Sequence, residues 1–154
     1  MKLYGNEISS ATSRVRIALA LKGLKPDFLS IGILGERAEN RQAAYLEVNP
    51  QGLVPARVAA HLRASGFGTE EIGAWNRHWM TVGFGAIEAL LASRPARAYA
   101  ADDTPSVADL FLFPQAINAE RAGLMLDRWP RLSAIVDRLS AIPEFSIYAP
   151  APRK

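Results

Sequence analysis

Cysteine is absent from the 154 residues of the sequence, and histidine occurs only as His61 and His78. The lack of cysteine excludes disulfides, thiolate metal sites and a protein thiol nucleophile. Neither histidine belongs to a carboxylate pattern that would hold a metal, so we expect no metal site. No apolar run is long enough to span a bilayer and no signal peptide opens the chain, so we expect a cytoplasmic protein.

The chain also carries little excess charge of either sign. The formal net charge is +3, and the basic residues are scattered along the chain. This gives little support for a nucleic-acid or membrane partner, although the pI near 9.5 leaves room for an acidic small molecule. Hydrophobic residues make up 49% and charged residues 21%, which is typical of a globular protein with one domain or two small ones.

A helix is predicted over residues 9–21, with Gly23 as its stop. Helical spacing predicts a buried face made of Val15, Ala18, Leu19 and Leu21. Four hydroxyl residues crowd the predicted N-terminus: Ser9, Ser10, Thr12 and Ser13. One of them is expected as a structural cap, and the group also suits an anion or thiolate, because a helix N-terminus offers free N–H groups and partial positive charge.

The first third of the chain alternates between strand and helix patterns. Residues 2–4 and residues 28 to about 35 predict strands on either side of the first helix, and residues 36–46 predict a polar helix. This βαβα order favours an α/β unit with parallel strands. Residues 49–55 then predict a rigid turn, in which Val54–Pro55 is either a plain tight connection or a cis peptide that presents the Val54 backbone to a ligand.

After residue 56 the patterns are helical throughout. Residues 57–63 predict a short helix, Thr69 is the expected cap of a long one, and Ser106 with Asp109 has the spacing of a capping box. Pro114 is expected to kink the helix that follows, and further helices are predicted over residues 130–141 and 143–148. In the long helix one apolar stripe is expected to be core: Ile72, Trp75, Trp79, Val82, Ala86, Ile87 and Leu90.

Residues 9–19, Ser-Ser-Ala-Thr-Ser-Arg-Val-Arg-Ile-Ala-Leu, resemble the signature of the zeta-class glutathione transferases, the maleylacetoacetate isomerases. The turn at 49–55 and the segments 75–91, 106–112 and 114–121 resemble other parts of that family. The resemblance implies an α/β thioredoxin-like N-terminal unit over residues 1–56, here incomplete, and an all-α domain over residues 57–154. It also implies a homodimer, a glutathione cofactor and a role in aromatic amino-acid catabolism.

The resemblance implies the site residues as well. Ser9 matches the catalytic serine, whose hydroxyl donates to the glutathione sulfur, and Val54 matches the residue whose backbone pairs with the cysteinyl part of glutathione. Arg121 matches an arginine that holds a carboxylate of an unsaturated dicarboxylic acid or other electrophilic substrate. The implied reaction adds the thiolate to a conjugated cis double bond, allows rotation and releases the trans isomer. The remaining positions that match cofactor contacts are Ser10, Ala11, Thr12, Ser13 and Arg14.

The sequence departs from the family in two places. Ala11 replaces a cysteine that tunes the chemistry. After Ala56 roughly sixty residues of the usual length are missing, including two strands and a Gln-Ser helix start that binds the γ-glutamyl carboxylate. Each hydrogen bond lost from such an anchor costs about 1.5–3 kcal/mol.

Three interpretations therefore remain open. The chain is a glutathione-dependent isomerase or transferase with weakened activity, or it is a non-catalytic binding or interaction protein that uses the remaining fold. The third is that the shortening is an artefact, caused by omitted disordered residues or by a faulty gene model. Glutathione binding by the chain distinguishes the first two.

Overall fold

The computed structural model describes residues 1–32, Glu39, Gln42 and 57–150, and for residues 57–60 it describes the backbone alone. Three expectations lie outside this part of the chain: the polar helix over residues 36–46, the turn at residues 49–55 with its Val54–Pro55 bond, and the join at Ala56. The division into domains at that join stays a prediction.

Two strands and one helix form the N-terminal unit. Strand β1 (Lys2–Gly5) lies beside strand β2 (Asp27–Ser30), with helix α1 (Ser10–Leu21) between them in the chain. The strands pair in parallel with Lys2 opposite Asp27, which confirms the predicted arrangement. Strand β2 ends at Ser30, earlier than predicted, although the Ile31 N–H still donates to the Gly5 carbonyl at 2.7 Å.

Residues 57–150 contain five further helices and one turn of 3-10 helix, joined by loops. The helices are α2 (Arg57–Ala64), α3 (Thr69–Ala92), α4 (Val107–Arg121), α5 (Pro130–Ser140) and α6 (Pro143–Ile147). The 3-10 turn covers Leu126–Arg128 and was not expected from the sequence. Helix α4 runs without interruption through Pro114, which is buried. Within the described chain, no helix combines the length and apolar character needed to cross a membrane.

One hydrophobic core joins the helical part to helix α1. Ile17 of α1 is fully buried in it, because α1 packs against α4 and α6. The other buried members are Phe84, Leu112, Phe113, Ala116, Ala119, Leu124, Leu126, Trp129, Leu132, Ile135, Val136, Leu139 and Phe145. The core therefore holds the N-terminus of α1 against the helical part of the molecule.

The predicted buried face of α1 is wrong in part. Ser13 and Ile17, one turn apart, are the buried residues, whereas Val15 and Leu21 are each 44% exposed. The reason is the position of α4 and α6, which lie on the Ser13–Ile17 side of the helix. Sequence spacing identified an apolar side of α1 but not the side that its neighbours cover.

The predicted core stripe of α3 is also wrong in most of its members. Ile72 is buried, but Trp75, Trp79, Val82 and Leu90 are 40–54% exposed. Helix α3 meets the core through Phe84 and the partly buried Met80, Ile87 and Leu91, and of these only Ile87 belongs to the predicted stripe. Because α3 carries apolar residues on two faces, its helical period could not tell which face has a neighbour.

The capping predictions are confirmed for the start of α4 and the end of α1, and the one for α3 is wrong by one residue. Ser106 and Asp109 form a capping box at the start of α4. For α3 the expected cap moves by one residue, because Gly68 precedes the helix and its N–H donates to the Glu71 carboxylate at 2.7 Å. Gly23 ends α1 with φ of +68°, a conformation that glycine adopts without strain.

Candidate active site at the N-terminus of helix α1

Ser9 is the N-cap of α1. Its side-chain oxygen accepts a hydrogen bond from the Thr12 N–H at 3.4 Å, and its carbonyl accepts from the Ser13 N–H at 3.0 Å. The cap occupies the Ser9 oxygen as an acceptor and leaves its proton available. Among the described residues none accepts a hydrogen bond from the Ser9 hydroxyl, so this hydroxyl can donate to a ligand.

The loop between β1 and α1 holds Ser9 in place through Asn6. The Asn6 N–H donates to the Thr12 hydroxyl at 3.0 Å, and the Asn6 amide donates to the Ile31 carbonyl at 2.7 Å. Gly5 is required beside this loop, since a Cβ there would lie 2.6 Å from the Thr12 side chain. Strand β1, the loop and the first turn of α1 are thus fixed to one another.

The opposite side of α1 is tied to the C-terminal part of the described chain. The Ser13 hydroxyl donates a hydrogen bond to the Tyr148 carbonyl. The Arg16 guanidinium lies between two rings, 4.4 Å from the Phe28 centroid and 4.6 Å from the Tyr148 centroid. These contacts fix the orientation of α1 and therefore the direction in which its N-terminus points.

Arg14 is the charged side chain of α1 nearest the cap. Its guanidinium stacks 4.7 Å from the ring of Phe111 on α4, and its Nε is buried with no hydrogen-bond partner among the described residues. A buried donor without an acceptor costs about 1–3 kcal/mol. An anionic ligand that accepts from Arg14 would remove that cost.

Arg121 lies at the C-terminal end of α4, where its guanidinium donates to the Asn118 side-chain oxygen at 3.1 Å. Phe111, which Arg14 touches, is ten positions earlier, about 15 Å along the helix axis. Next to Arg121, burial and the nearby Asp137 carboxylate raise the pKa of Glu120.

The structure places most of the predicted site within the first two turns of α1 and its cap. The residues that it gathers at the start of α1 are Ser9, Ser10, Ala11, Thr12, Ser13 and Arg14. Val54 lies outside the described residues, and Arg121 stands on a different helix. Two of the gathered residues play structural parts, because Thr12 supports Asn6 and Ser13 holds Tyr148.

The sequence did not single out Asn6, Arg16 or Tyr148 as supports of the site. Asn6 follows directly after β1, where a polar residue often fixes a loop, so a local signal existed. The contact between Arg16 and Tyr148 joins the two ends of the described chain, and no local pattern predicts it.

The arrangement suits the binding of a thiolate. The amides of Ser10 and Ala11 belong to the first turn, where helix geometry provides no intrahelical acceptor. Together with the Ser9 proton and the helix dipole they favour a negatively charged sulfur over a neutral thiol. Such a site lowers the pKa of a bound thiol.

Comparisons with known proteins identify the family to which the chain is similar. Residues 3–58 match the glutathione S-transferase N-terminal domain, and residues 83–138 match the glutathione S-transferase C-terminal domain. The maleylacetoacetate isomerase of Pseudomonas aeruginosa is 31% identical over 98% of this chain and 96% of its own length. The maleylpyruvate isomerase of a Ralstonia species is 30% identical over 98% of this chain and 97% of its own length.

Solved structures give the same result. The holo structure of a maleylpyruvate isomerase, described as a bacterial zeta-class glutathione S-transferase, has a TM-score of 0.91 at 28% identity, covering 99% of this chain and 98% of the other. A maleylacetoacetate isomerase from Anaeromyxobacter dehalogenans, solved with dicarboxyethyl glutathione and citrate in its active site, has a TM-score of 0.66 at 25% identity. The match covers 99% of this chain and 91% of the other.

The chain belongs to the glutathione transferase family, and within it to the zeta class. Its thioredoxin-like unit and its helical domain are those of that family. The family uses glutathione, and the zeta-class relatives are isomerases.

The chain is nevertheless shorter than these relatives. The alignment with the Pseudomonas aeruginosa protein has 207 positions against 154 residues here, so at least 53 positions have no counterpart in this chain. This supports the expectation of a missing internal block.

Proposed function

We propose that this chain is a glutathione-dependent cis–trans isomerase that acts on a maleyl-type unsaturated dicarboxylic acid. The observation that carries the proposal is the Ser9 hydroxyl, which caps α1. It donates to no acceptor among the described residues, so its proton can be donated to a ligand. The names of the relatives, maleylacetoacetate and maleylpyruvate isomerase, support the reaction.

The residues at the start of α1 fit the thiol end of glutathione. Glutathione held there would supply a thiolate, the reversible nucleophile that cis–trans isomerisation of a conjugated double bond requires. The Ser9 hydroxyl donates to the sulfur, and the amides of Ser10 and Ala11 stabilise its negative charge. These groups act by holding the sulfur ionised at neutral pH and directing it toward the substrate.

Two guanidiniums are the proposed partners of carboxylates. The buried Arg14 Nε lacks an acceptor among the described residues and suits a carboxylate bound beside the first turn of α1. Arg121 is the proposed partner of a substrate carboxylate, a role that its bidentate fork would serve. The Val54 backbone is proposed to pair with the cysteinyl part of glutathione.

Three further expectations belong to the same proposal. The protein acts in the cytoplasm, it divides into domains at residues 1–56 and 57–154, and it is a homodimer. The exposed Trp75 and Trp79 on α3 support association, since their edge-to-face pair forms an apolar surface that water would otherwise cover.

The alternative is a non-catalytic protein that keeps the glutathione transferase fold. It is favoured by the internal shortening, because the predicted γ-glutamyl anchor falls in the missing block. The two functions are distinguished by turnover of substrate, which only the isomerase would show.

The test is isomerisation of maleylpyruvate and of maleylacetoacetate, followed by absorbance, with and without millimolar glutathione. Turnover that requires glutathione is the expected result. Its absence from folded protein with either substrate would favour the non-catalytic function.

Variants at Ser9 separate its hydroxyl from its cap. Ser9→Gly keeps most of the cap, since glycine costs only a few tenths of a kcal/mol there, but removes the hydroxyl. We expect kcat to fall about tenfold to a hundredfold, the value of one hydrogen bond to a charged group. Ser9→Thr should restore much of the activity, and Ser65→Ala, at an exposed serine, should change nothing. Equal activity in Ser9→Gly and the unaltered chain would contradict the assigned role.

A further inference from the structure

A cavity of about 310 Å³ lies between the end of α3, the loop over residues 94–105 and helix α5. Four arginines line it: Arg94, Arg97, Arg131 and Arg138. Its lining includes none of the residues assigned to the glutathione or substrate site. The cavity is therefore a separate feature of the helical domain.

Two of the four guanidiniums are held in position by backbone carbonyls. Arg131 donates to the Leu91 carbonyl at 2.8 Å, and Arg138 donates to the Ala98 carbonyl at 2.9 Å. A guanidinium has five N–H donors, so each keeps several for a ligand. Because the side chains are already ordered, a ligand would not bear the entropy cost of fixing them.

The positive charge of the cavity is only partly neutralised. Arg97 forms an ion pair with Asp103 at 2.9 Å. The Ala98 N–H and then Arg97 hold the pKa of Asp103 below its usual range, so this carboxylate stays ionised at neutral pH. Arg94 has no side-chain hydrogen bond or ion pair with any residue in the described part of the chain.

Glu88 bonds to the backbone of Arg131 and not to its guanidinium. Its two oxygens accept from the backbone N–H groups of Arg131 and Leu132, each at 3.0 Å, and so cap helix α5. Among the described carboxylates only Asp103 bonds to a guanidinium of the cavity. Three of the four arginines are left without an ionic partner in the described chain.

Apolar side chains complete the lining, among them Leu91, Ile135, Ala134 and the ring of Tyr99. Ile135 is buried and the other three are partly buried. A volume near the lower end of the usual range for ligand sites, with apolar walls and a few charged groups, suits a small organic molecule.

We propose that this cavity is a second ligand site, which binds a small organic anion through Arg94, Arg131 and Arg138 and packs the apolar body of that anion on Leu91 and Ile135. Guanidiniums form bidentate hydrogen bonds to carboxylates, so a carboxylate on a flat hydrocarbon frame is the expected chemistry. The site does not depend on the isomerase reaction and would persist in a non-catalytic protein.

Phthalate is the probe, because it combines two carboxylates with a flat ring. Its binding to the whole chain is measured by isothermal titration calorimetry at low salt, with benzoate and benzyl alcohol beside it. We expect phthalate to bind more tightly than benzoate, benzyl alcohol not to bind, and added salt to weaken both anions. No heat from phthalate at millimolar concentration would overturn the proposal.

Substitutions test whether phthalate binds at the arginines of this cavity. Arg94→Gln is the cleanest, because no described side-chain contact is lost, and it should weaken phthalate at least threefold. Arg94→Gln with Arg138→Gln should weaken it tenfold or more, with circular dichroism showing that the variant is folded. Arg63→Gln, at an exposed arginine outside the cavity, should have no effect. Unchanged affinity in the double variant, or equal loss in Arg121→Gln, would place the anion elsewhere and overturn the proposal.

Discussion

Asp109 is the buried carboxylate on which the start of helix α4 depends. It is fully buried, and its Oδ1 accepts from the Ala100 N–H at 2.9 Å. Its Oδ2 accepts from both the N–H and the hydroxyl of Ser106, each at 2.8 Å. The same side chain thus caps the helix and fixes the preceding loop.

Replacing Asp109 by asparagine tests this directly. One oxygen becomes an NH2 group, which faces either the Ala100 N–H or the Ser106 N–H as donor against donor. The Ser106 hydroxyl can rotate and accept, so one charge-assisted bond is lost outright and a buried N–H is left without an acceptor. We expect the free energy of unfolding to fall by about 3 kcal/mol for Asp109→Asn and about 5 kcal/mol for Asp109→Ala.

Urea unfolding followed by circular dichroism measures the change. A loss of this size is a large part of the ordinary 5–15 kcal/mol stability of a domain and should move the midpoint clearly at constant slope. Asp127→Asn is the matched control, since Asp127 is exposed and carries the same charge, and it should shift the stability by less than about 0.5 kcal/mol. A loss below about 1 kcal/mol in Asp109→Asn would refute the reasoning.

Three other predictions follow from the structure. Phe113→Ala should lower the free energy of unfolding by about 3–5 kcal/mol in urea titrations, because the ring is 1% exposed; a loss under about 1.5 kcal/mol would contradict its place in the core. Gly5→Ala should lower the unfolding midpoint and weaken glutathione binding by displacing the Thr12 side chain; unchanged values of both would show that this close approach is not required. Burial, and then Asp137, raise the pKa of Glu120 above its ordinary 4.5, so its contribution to stability is present below that value and is lost as pH rises through the raised pKa. Glu120→Gln should therefore stabilise the protein more at pH 7 than at pH 4, measured as thermal midpoints, and an equal effect at both values would contradict the assignment.

Local signals in the sequence predicted the parts of the fold that depend on few residues. Ser9 at the start of α1 and Ser106 with Asp109 at the start of α4 are caps, and a cap involves residues within one turn. The parallel pairing of β1 and β2 was predicted because a strand–helix–strand order with short connections allows little else.

The features that the sequence did not predict depend on distant partners. The face of α3 that is buried is set by α5 and α2, and no spacing rule shows that Trp79 is the exposed side chain. Glu88 caps α5 from more than forty residues away. The cavity arginines come from two separate segments, the loop over residues 94–105 and helix α5, so only the folded chain brings them together.

The candidate site shows the same division. Residues 9–14 could be predicted as a group because they are consecutive. The support from Tyr148 could not, since it acts through contacts made across the fold, whereas Asn6 had a local signal in its place directly after β1.

The central claim is that Ser9 and the N-terminus of α1 hold glutathione as a thiolate in this shortened chain. The most direct test is the thiolate absorbance of bound glutathione in the ultraviolet, titrated against pH in the unaltered chain and in Ser9→Gly. Free cysteine thiols have a pKa of about 8.5. We predict a thiolate signal already present at neutral pH in the unaltered chain, and a titration shifted upward by about one unit or more in Ser9→Gly. No bound thiolate at neutral pH, or identical titrations in the two proteins, would contradict the claim.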